Sequence, residues 1–226
     1  GFSYVGVSLD GIGKTNDYFR GMNGAFEAAL QGIKNCISID VKSGLRFTLT
    51  RYNFDDVPRI FDLVESERIP RVCFYHLVYS GRAAHIVEQD LSHQDTRAFM
   101  DYVIGKAEEL YHKNLDVEVL TVDNHSDAAY IYLRLFEKSS RQAEDALQLL
   151  KWNGGNRSGE GIGCVDFKGD VHADQFWQHY SFGNILKHKF SEIWSDETEP
   201  LIYGLRNRKK LLKGRCAGCK YLDLCN

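Results

Sequence analysis

Phe2-Ser-Tyr-Val-Gly-Val-Ser8-Leu-Asp10-Gly11 is the stretch of sequence that decides the fold. Its first seven residues alternate and include β-branched side chains, which is typical of a strand, and Asp10-Gly11 marks the point where the chain leaves the sheet. Gly11–Gly24 is rich in glycine and polar residues and predicts a loop, whereas Ala25–Cys36 repeats apolar residues at helical spacing. The beginning of the chain therefore predicts a strand, loop and helix unit.

Later segments repeat this alternation. Further strands are predicted at Leu45–Thr50, Arg71–Val78 and Val117–Val122, and the second of these is apolar enough to be buried on both faces. Apolar periodicity predicts helices after Asp55 or Asp56 and over Thr96–His112, Ser126–Glu137 and Ser140–Trp152. Because alternating strands and helices form parallel sheets with right-handed crossovers, we expect an α/β fold whose polar groups gather at the carboxyl ends of the strands.

The character of the sequence changes after Trp152. Asn153–Gly161 has four glycines in nine residues, which suits a linker or a loop that lies against a ligand. We therefore expect one domain over residues 1–152 and a second over residues 153–226. The second domain is predicted to contain a β-hairpin around Lys168-Gly169 and two short helical segments, at Phe190–Trp194 and Pro200–Leu211.

The second domain ends in a cysteine cluster, Cys216-Ala-Gly-Cys219-Lys-Tyr-Leu-Asp-Leu-Cys225. Two thiolates separated by two residues can bind the same metal or cluster, and Cys225 lies a short loop away. Zinc and iron–sulfur clusters both favour four ligands, so a fourth is expected after Asn226, and the spacing does not choose between them. Chance clustering and a disulfide are weaker alternatives, because the close spacing is uncommon and a chain of this length does not need a covalent staple.

Composition limits the partners of the protein. Hydrophobic residues make up 43% of the chain, and 28 basic against 31 acidic side chains give a formal net charge of −3. This charge argues against a nucleic acid as the main partner, and the apolar runs are too short to span a bilayer. We therefore expect a soluble, cytoplasmic protein with no membrane partner, and the absence of an initiator Met at Gly1 indicates that an N-terminal part precedes it.

Several stretches together resemble radical S-adenosylmethionine enzymes that carry a cysteine-rich C-terminal extension of the twitch or SPASM type. They are Ser8-Leu-Asp-Gly11 with Arg20-Gly21, Asn53 after the next strand, Gly81-Arg82, Gly183-Asn184, Phe190–Trp194 and Cys216-x2-Cys219-x5-Cys225. Thr121–His125, Trp152–Asn156 and Gly169–Trp177 are most similar to the members that act in heme d1 biosynthesis. The resemblance implies a partial (βα) barrel of the TIM type with parallel strands, followed by the small extension.

The resemblance also implies the cofactors. S-adenosylmethionine would be cleaved at a radical-generating 4Fe–4S cluster, whose Cys-x3-Cys-x2-Cys loop does not occur in this sequence and is expected before Gly1. An auxiliary 4Fe–4S cluster would be held by Cys216, Cys219 and Cys225 with a fourth cysteine beyond the chain. Fuller SPASM members have a cysteine at the position of Asp174, so only one auxiliary cluster is expected here, and Cys164 is interpreted as a buried or incidental thiol.

The candidate cofactor-binding residues follow from the same resemblance. Ser8 and Asp10 would bind the ribose of S-adenosylmethionine, Arg20 would bind its carboxylate, and Asn53 belongs to the same site. A hydroxyl and a carboxylate suit the ribose hydroxyls, and a guanidinium can bind a carboxylate through two hydrogen bonds. The simpler alternatives are that Asp10-Gly11 only forms a turn and that Arg20 is a solvated cation.

The implied substrate is a tetrapyrrole, a siroheme-derived precursor whose propionate side chain loses hydrogen to a deoxyadenosyl radical. Its carboxylates need basic partners, and the candidates are Arg82, His125, Arg157 and His172. A histidine at a strand end more often forms a structural hydrogen bond, which is the alternative for His125 and His172. The implied protein partner is an electron donor such as ferredoxin or flavodoxin.

Two other functions stay open on the sequence. The same extension serves radical enzymes that modify peptides, so a peptide substrate is the alternative within the class. A non-catalytic interaction module whose tail binds zinc is the alternative outside it.

Overall fold

A computed structural model describes residues 1–225 of the chain, apart from the side chain of Ser140. It divides the chain into two compact units, Gly1–Asn124 and His125–Asn226. The boundary predicted after Trp152 lies later in the chain than this division. That the residues from 153 onward form a module of their own therefore stays a prediction.

The first unit is a parallel sheet with helices. Its strands are β1 (Val5–Ser8), β2 (Ser43–Thr48), β3 (Arg71–Tyr75) and β4 (Glu118–Val122), and its helices are α1 (Lys14–Arg20), α2 (Ala25–Ser38), α3 (Val57–Ser66) and α4 (His93–His112). All neighbouring strands pair in parallel, in the order β1-β2-β3-β4. A strand order that follows the chain is the order found in a (βα) barrel. The predicted α/β class with parallel strands is confirmed.

Aromatic side chains form the centre of this unit. Phe74 of β3 packs against Phe47, Phe61 and Phe99, with ring centroids 5.7, 5.5 and 5.3 Å away. All four residues are at most 1% exposed. Aromatic rings at these distances add to the free energy gained by burying their area, so they fix α3 and α4 on one face of the sheet.

The opposite face of the sheet is more polar than the sequence suggests. The predicted third strand reads as buried on both faces, but only Val72 and Phe74 point to the helices. Side chains alternate along a strand, so Arg71, Cys73 and Tyr75 lie on the other face. Arg46 of β2 is in register with Cys73, and Ser8 of β1 is in register with Arg46. The sheet therefore offers a polar face at which a site can be built.

One α-helix of the first unit was not predicted. The segment Gly11–Gly24, predicted as a loop, contains α1, which ends at Gly21 in the left-handed conformation (φ 66°). The helix is polar and short, so no apolar periodicity marks it in the sequence. The Asp17 carboxylate accepts hydrogen bonds from Gly24 N at 2.7 Å and Phe26 N at 2.8 Å, which ties α1 to the start of α2.

The second unit begins with two longer helices and ends with short ones. They are α5 (Ser126–Lys138), α6 (Ser140–Asn153), α7 (Phe190–Trp194), α8 (Pro200–Arg206), α9 (Arg208–Leu211) and α10 (Leu222–Cys225). Between α6 and α7 lies an antiparallel sheet of β5 (Cys164–Val165), β6 (Asp170–His172) and β7 (Gly183–Asn184). The predicted hairpin and short helices are confirmed. Across residues 1–225, helices long and apolar enough to span a bilayer are absent.

Candidate functional site

Asp10, just past the carboxyl end of β1, is the centre of a buried polar cluster. Only 1% of the residue is exposed, one carboxylate oxygen accepts a hydrogen bond from Thr48 N at 2.6 Å, and the other forms an ion pair with Arg20. Burial raises the pKa of Asp10, and the bonds from Thr48 and Arg20 oppose that rise. Because both of its oxygens are occupied, Asp10 holds Arg20 in place and does not present a free carboxylate.

Asn53 connects the ends of β1 and β2. Its Oδ1 accepts hydrogen bonds from Thr50 N and Thr50 Oγ1, both at 2.9 Å, and its Nδ2 donates to Thr48 O at 2.8 Å and to Asp10 O at 3.0 Å. The residue is 1% exposed. Its side chain is thus fully used inside the protein, where it fixes the segments that carry Asp10 and Thr48.

Ser8 is accessible on the polar face of the sheet, in register with Arg46. Arg46 was not predicted as a site residue, and its guanidinium lies over Gly6 so closely that a Cβ at Gly6 would clash with it. The signal that could have found it is the pattern Gly44-x-Arg46-x-Thr48, in which every second residue of a strand is not apolar. The neighbouring residues Ser8 and Arg46 therefore carry a hydroxyl and a cation on the same face of the sheet.

A cavity of about 930 Å³ opens beside the Asp10 cluster. Three of the predicted site residues, Asp10, Arg20 and Arg82, line it, and 34% of the Arg20 side chain is exposed. Tyr18 and Tyr52 line the same cavity, with ring centroids 4.8 Å apart. Two cations and two aromatic rings around one cavity suit an anionic ligand with an extended flat surface.

In the second unit, arginines hold the glycine-rich loop of residues 153–161. Arg208 donates to Asn156 Oδ1 and to Ser158 O, both at 2.7 Å, and Arg206 donates to Gly159 O at 3.3 Å. Asn156 N donates in turn to Cys225 O at 2.8 Å. Burial lowers the pKa of Arg208, as expected for a cation that is satisfied by neutral oxygens. The loop is therefore bound to α9 and to the cysteine tail.

Arg157 and His125 lie in this unit as well. Arg157 is exposed, and its backbone carbonyl oxygen accepts hydrogen bonds from Gly161 N and Ile162 N, both at 3.0 Å. His125 directly precedes α5. Desolvation lowers the pKa of His125, and the nearby positive charge of Arg208 lowers it further, so the imidazole is neutral near neutral pH.

His172 is buried in the hairpin and is 3% exposed. Its Nδ1 lies 2.7 Å from Tyr180 O, and its Nε2 lies 3.7 Å from the nearest carboxylate oxygen, on Asp166. With no hydrogen-bond partner for Nε2 in the described part of the chain, Nδ1 carries the bond that orients the ring. This placement agrees with the structural alternative for His172.

Asp174 is buried in the position where fuller members of the family have a cysteine. One of its oxygens accepts a hydrogen bond from Ser158 Oγ and the other accepts one from Phe176 N at 2.7 Å. Asp174 therefore acts as a hydrogen-bond acceptor that joins the glycine loop to the hairpin.

Cys164, predicted to be buried or incidental, is a partly buried thiol in β5, and it lies opposite His172 of β6.

The cysteine tail carries three thiols at the end of the described chain. Cys216 and Cys219 are exposed, Cys225 is partly buried, and none of the three is in a disulfide. Burial raises the pKa of Cys225, and the thiols of Cys219 and Cys216 raise it further. Their arrangement within residues 1–225 is not that of a complete metal site. Three thiols of this kind are the donor chemistry that iron–sulfur clusters and zinc both use.

Solved structures share this fold. SuiB of Streptococcus suis bound to S-adenosylmethionine matches 98% of this chain and 48% of its own, with a TM-score of 0.69 and 16% identity. The structure of anSMEcpe with bound AdoMet matches 98% of this chain and 57% of its own, with a TM-score of 0.63 and 16% identity. At this identity the likeness concerns the fold, and it confirms the predicted partial barrel with its extension.

Residues 158–220 match the SPASM family, an iron–sulfur cluster-binding domain, and include Cys216 and Cys219. This match confirms the SPASM-type extension that the sequence predicts. The chain is 54% identical over its whole length to the Fe-coproporphyrin III synthase of Methanosarcina barkeri and 39% identical to the pre-heme d1 synthase of Dinoroseobacter shibae. It covers 57% and 56% of these proteins, so it spans little more than half of the relatives it matches.

Proposed function

We propose that this chain is part of a radical S-adenosylmethionine enzyme that modifies a siroheme-derived tetrapyrrole. The observation that carries the proposal is the 54% identity to Fe-coproporphyrin III synthase over all of the chain. Heme d1 biosynthesis, the more specific prediction from the sequence, is supported by a lower identity of 39%. Fe-coproporphyrin III is therefore the favoured product, and a heme d1 precursor is the second candidate.

The first unit would bind S-adenosylmethionine and the reacting part of the substrate. When bound next to its 4Fe–4S cluster, this cofactor would supply a deoxyadenosyl radical that abstracts hydrogen from a propionate side chain. Arg20 would pair with a ligand carboxylate, and the ion pair with Asp10 would keep its guanidinium at the cavity. Ser8 would offer its hydroxyl to the ribose, while Asn53 would position the loop from within the protein.

Substrate binding would use the same cavity. Arg82 would bind a peripheral carboxylate, and Tyr18 and Tyr52 would pack against the flat ring system. The cavity of about 930 Å³ lies in the range that large ligands occupy. Arg157 and His125 stay proposed as substrate contacts on the resemblance alone, and His172 would hold the hairpin of the second unit.

The tail would hold an auxiliary 4Fe–4S cluster. Cys216, Cys219 and Cys225 would be three of its ligands, and a fourth would come from outside the described residues. An electron donor such as ferredoxin or flavodoxin is the proposed protein partner. Every cysteine among the described residues is free, which is in keeping with the proposed location in the reducing cytoplasm.

The test is an anaerobic assay of the full-length protein with S-adenosylmethionine and a siroheme-type precursor, with the product identified by mass spectrometry. Formation of Fe-coproporphyrin III supports the favoured product, and formation of a heme d1 precursor supports the second candidate. Turnover of a peptide with no effect on the tetrapyrrole would contradict the proposal. So would a protein that binds one zinc and shows no brown chromophore.

The tail is tested separately by iron content. Full-length protein should bind about eight irons, the content of two cubane clusters. The substitution Cys219→Ala should remove about half of them, since a cubane needs its full set of thiolates. Cys164→Ala is the matched control and should leave the iron content unchanged. A loss of iron in the Cys164→Ala variant would show that the hairpin provides a ligand.

A further inference from the structure

A cluster of exposed cations surrounds the exposed thiols of the tail. The segment Arg206–Lys220 contains seven Lys and Arg residues and no Asp or Glu, in a chain whose formal net charge is −3. Five of the seven are exposed, and the four of these without an ion pair define what we call the basic face; they are Lys210, Lys213, Arg215 and Lys220. This segment of the chain is therefore locally basic, with seven of the 28 Lys and Arg residues.

The other three cations of the segment have partners inside the second unit. Arg206 and Arg208 donate to the glycine loop, and Lys209 pairs with Asp223 at 2.6 Å. The basic face differs from them, because its four side chains form no hydrogen bond or ion pair with other residues of the described chain. Lys220 does lie over the ring of Tyr221, with Nζ 4.9 Å from the centroid. The charges of the basic face are thus free to meet a partner.

The position of the basic face points to the kind of partner. Lys213 and Arg215 precede Cys216, and Lys220 follows Cys219, so the free cations flank the two exposed ligands of the proposed cluster. Cations in such numbers raise the rate at which an acidic surface encounters the site and orient it there. A nucleic acid is the less suitable occupant, because the chain as a whole is acidic.

We propose that the basic face docks an acidic one-electron carrier protein directly over Cys216 and Cys219. This inference rests on the proposed iron–sulfur cluster of the tail. One electron leaves the reduced carrier and reduces the oxidised cluster, and no bond or proton is exchanged. The cations act on docking and leave the cluster ligands unchanged, so docking and cluster assembly can be measured independently.

The experiment compares two charge-reversal variants of the full-length, cluster-loaded protein. Lys210→Glu/Lys213→Glu changes the basic face, and Arg141→Glu/Lys187→Glu makes the same change in net charge on exposed residues elsewhere in the second unit. The probe is an oxidised plant-type ferredoxin, titrated at low ionic strength. We expect the first variant to weaken ferredoxin binding about tenfold or more and the control to change it less than about twofold.

Salt and electron transfer provide further readouts. Binding to the unchanged protein should weaken steeply as ionic strength rises to about 0.5 M, and binding to Lys210→Glu/Lys213→Glu should depend less on salt. The rate of cluster reduction by ferredoxin should fall in parallel with binding. Reduction by photoreduced deazaflavin, which is small and needs no docking surface, should be the same in all three proteins.

The outcomes separate the inference from the proposed function. Absence of iron, or of reduction by deazaflavin, in the unchanged protein would contradict the cluster itself. Normal iron content with equal ferredoxin binding in all three proteins would overturn the docking surface. It would also be overturned if Lys210→Glu/Lys213→Glu weakened the binding of an RNA oligonucleotide or of anionic vesicles and left ferredoxin binding unchanged. If the Glu variant loses iron, Lys210→Ser/Lys213→Ser replaces it, with the same expected direction.

Discussion

The two units of the molecule reach their folds by different means. The first has a continuous apolar core around Phe74, in which large side chains from strands and helices are fully buried. The second has few buried apolar residues, and those among the described residues are Ala143, Val171, Ala173, Ile193, Ile202 and Leu224. A core of this size contributes little free energy, so the second unit depends on other interactions.

Those interactions are hydrogen bonds from side chains to loops. Arg208 and Arg206 bind loop oxygens, Asp174 binds Ser158, and His172 binds Tyr180 O. Each bond has strict geometry and depends on one pair of residues, whereas an apolar core tolerates exchange of similar side chains. The first unit is therefore stabilised mainly by its buried apolar side chains, and the second mainly by a few specific hydrogen bonds.

The largest effect is expected from emptying the core of the first unit. Phe74→Ala should lower the free energy of unfolding by about 3–5 kcal/mol, because it removes a fully buried ring and leaves a cavity. Urea unfolding followed by circular dichroism measures this. Phe2→Ala is the control, since Phe2 is 85% exposed, and it should change stability very little. A loss below about 1 kcal/mol for Phe74→Ala would mean that this core is not what stabilises the unit.

A somewhat smaller effect is expected at Arg208. Arg208→Met keeps the side-chain length but removes the bonds to Asn156 and Ser158, and should destabilise the second unit by about 2–3 kcal/mol. Amide hydrogen exchange should speed up around residues 156–159 and stay unchanged in the strands of the first unit. Lys210→Met is the matched control. Equal exchange in both variants would contradict a role for Arg208 in holding the loop.

Asn53 tests whether polar contacts also matter in the first unit. Asn53→Ala removes four hydrogen bonds at a buried position and should lower the free energy of unfolding by about 2 kcal/mol. Thermal unfolding measures the loss, and Asn35→Ala on an exposed part of α2 provides the comparison. If the two variants unfold at the same temperature, the apolar core alone maintains this unit.

The smallest effect is expected at Ser158. Ser158→Ala removes one hydrogen bond to Asp174 and should cost about 1 kcal/mol in the second unit. Ser195→Ala, on an exposed residue that follows α7, should be neutral. Proteolysis of the loop at residues 153–161 under native conditions reports the difference. A change as large as that of Arg208→Met would mean that Ser158 and Asp174, not the arginine, hold the loop.

The sequence predicted those features that depend on neighbouring residues. Strand and helix periodicities predicted the four strands of the first unit and the longer helices of both units, and Phe190–Trp194 was predicted with the bounds that α7 has. The cysteine cluster could be predicted because its members lie within ten residues of one another. The polar helix α1 was not predicted, because it has no apolar stripe that would distinguish it from a loop.

Features that depend on distant residues could not be predicted. Asp10 is satisfied by Thr48, 38 residues later, and Arg208 bonds to Asn156, 52 residues earlier. No local pattern records such pairs, so the sequence could not predict that the side chains of Asp10 and Asn53 form hydrogen bonds inside the protein. Arg46 was overlooked for the same reason, because only the parallel register puts it beside Ser8.

The order β1-β2-β3-β4 has a consequence for handling the protein. Among the described residues, β1 and β4 each pair on one side only, so both carry a row of backbone N–H and C=O groups without a neighbouring strand. Such edges accept strands from other molecules, and flat, uncovered edges promote aggregation. We therefore expect this segment, produced by itself, to self-associate through its sheet edges as its concentration rises. Added charged residues or a proline on β1 or β4 should keep it in solution.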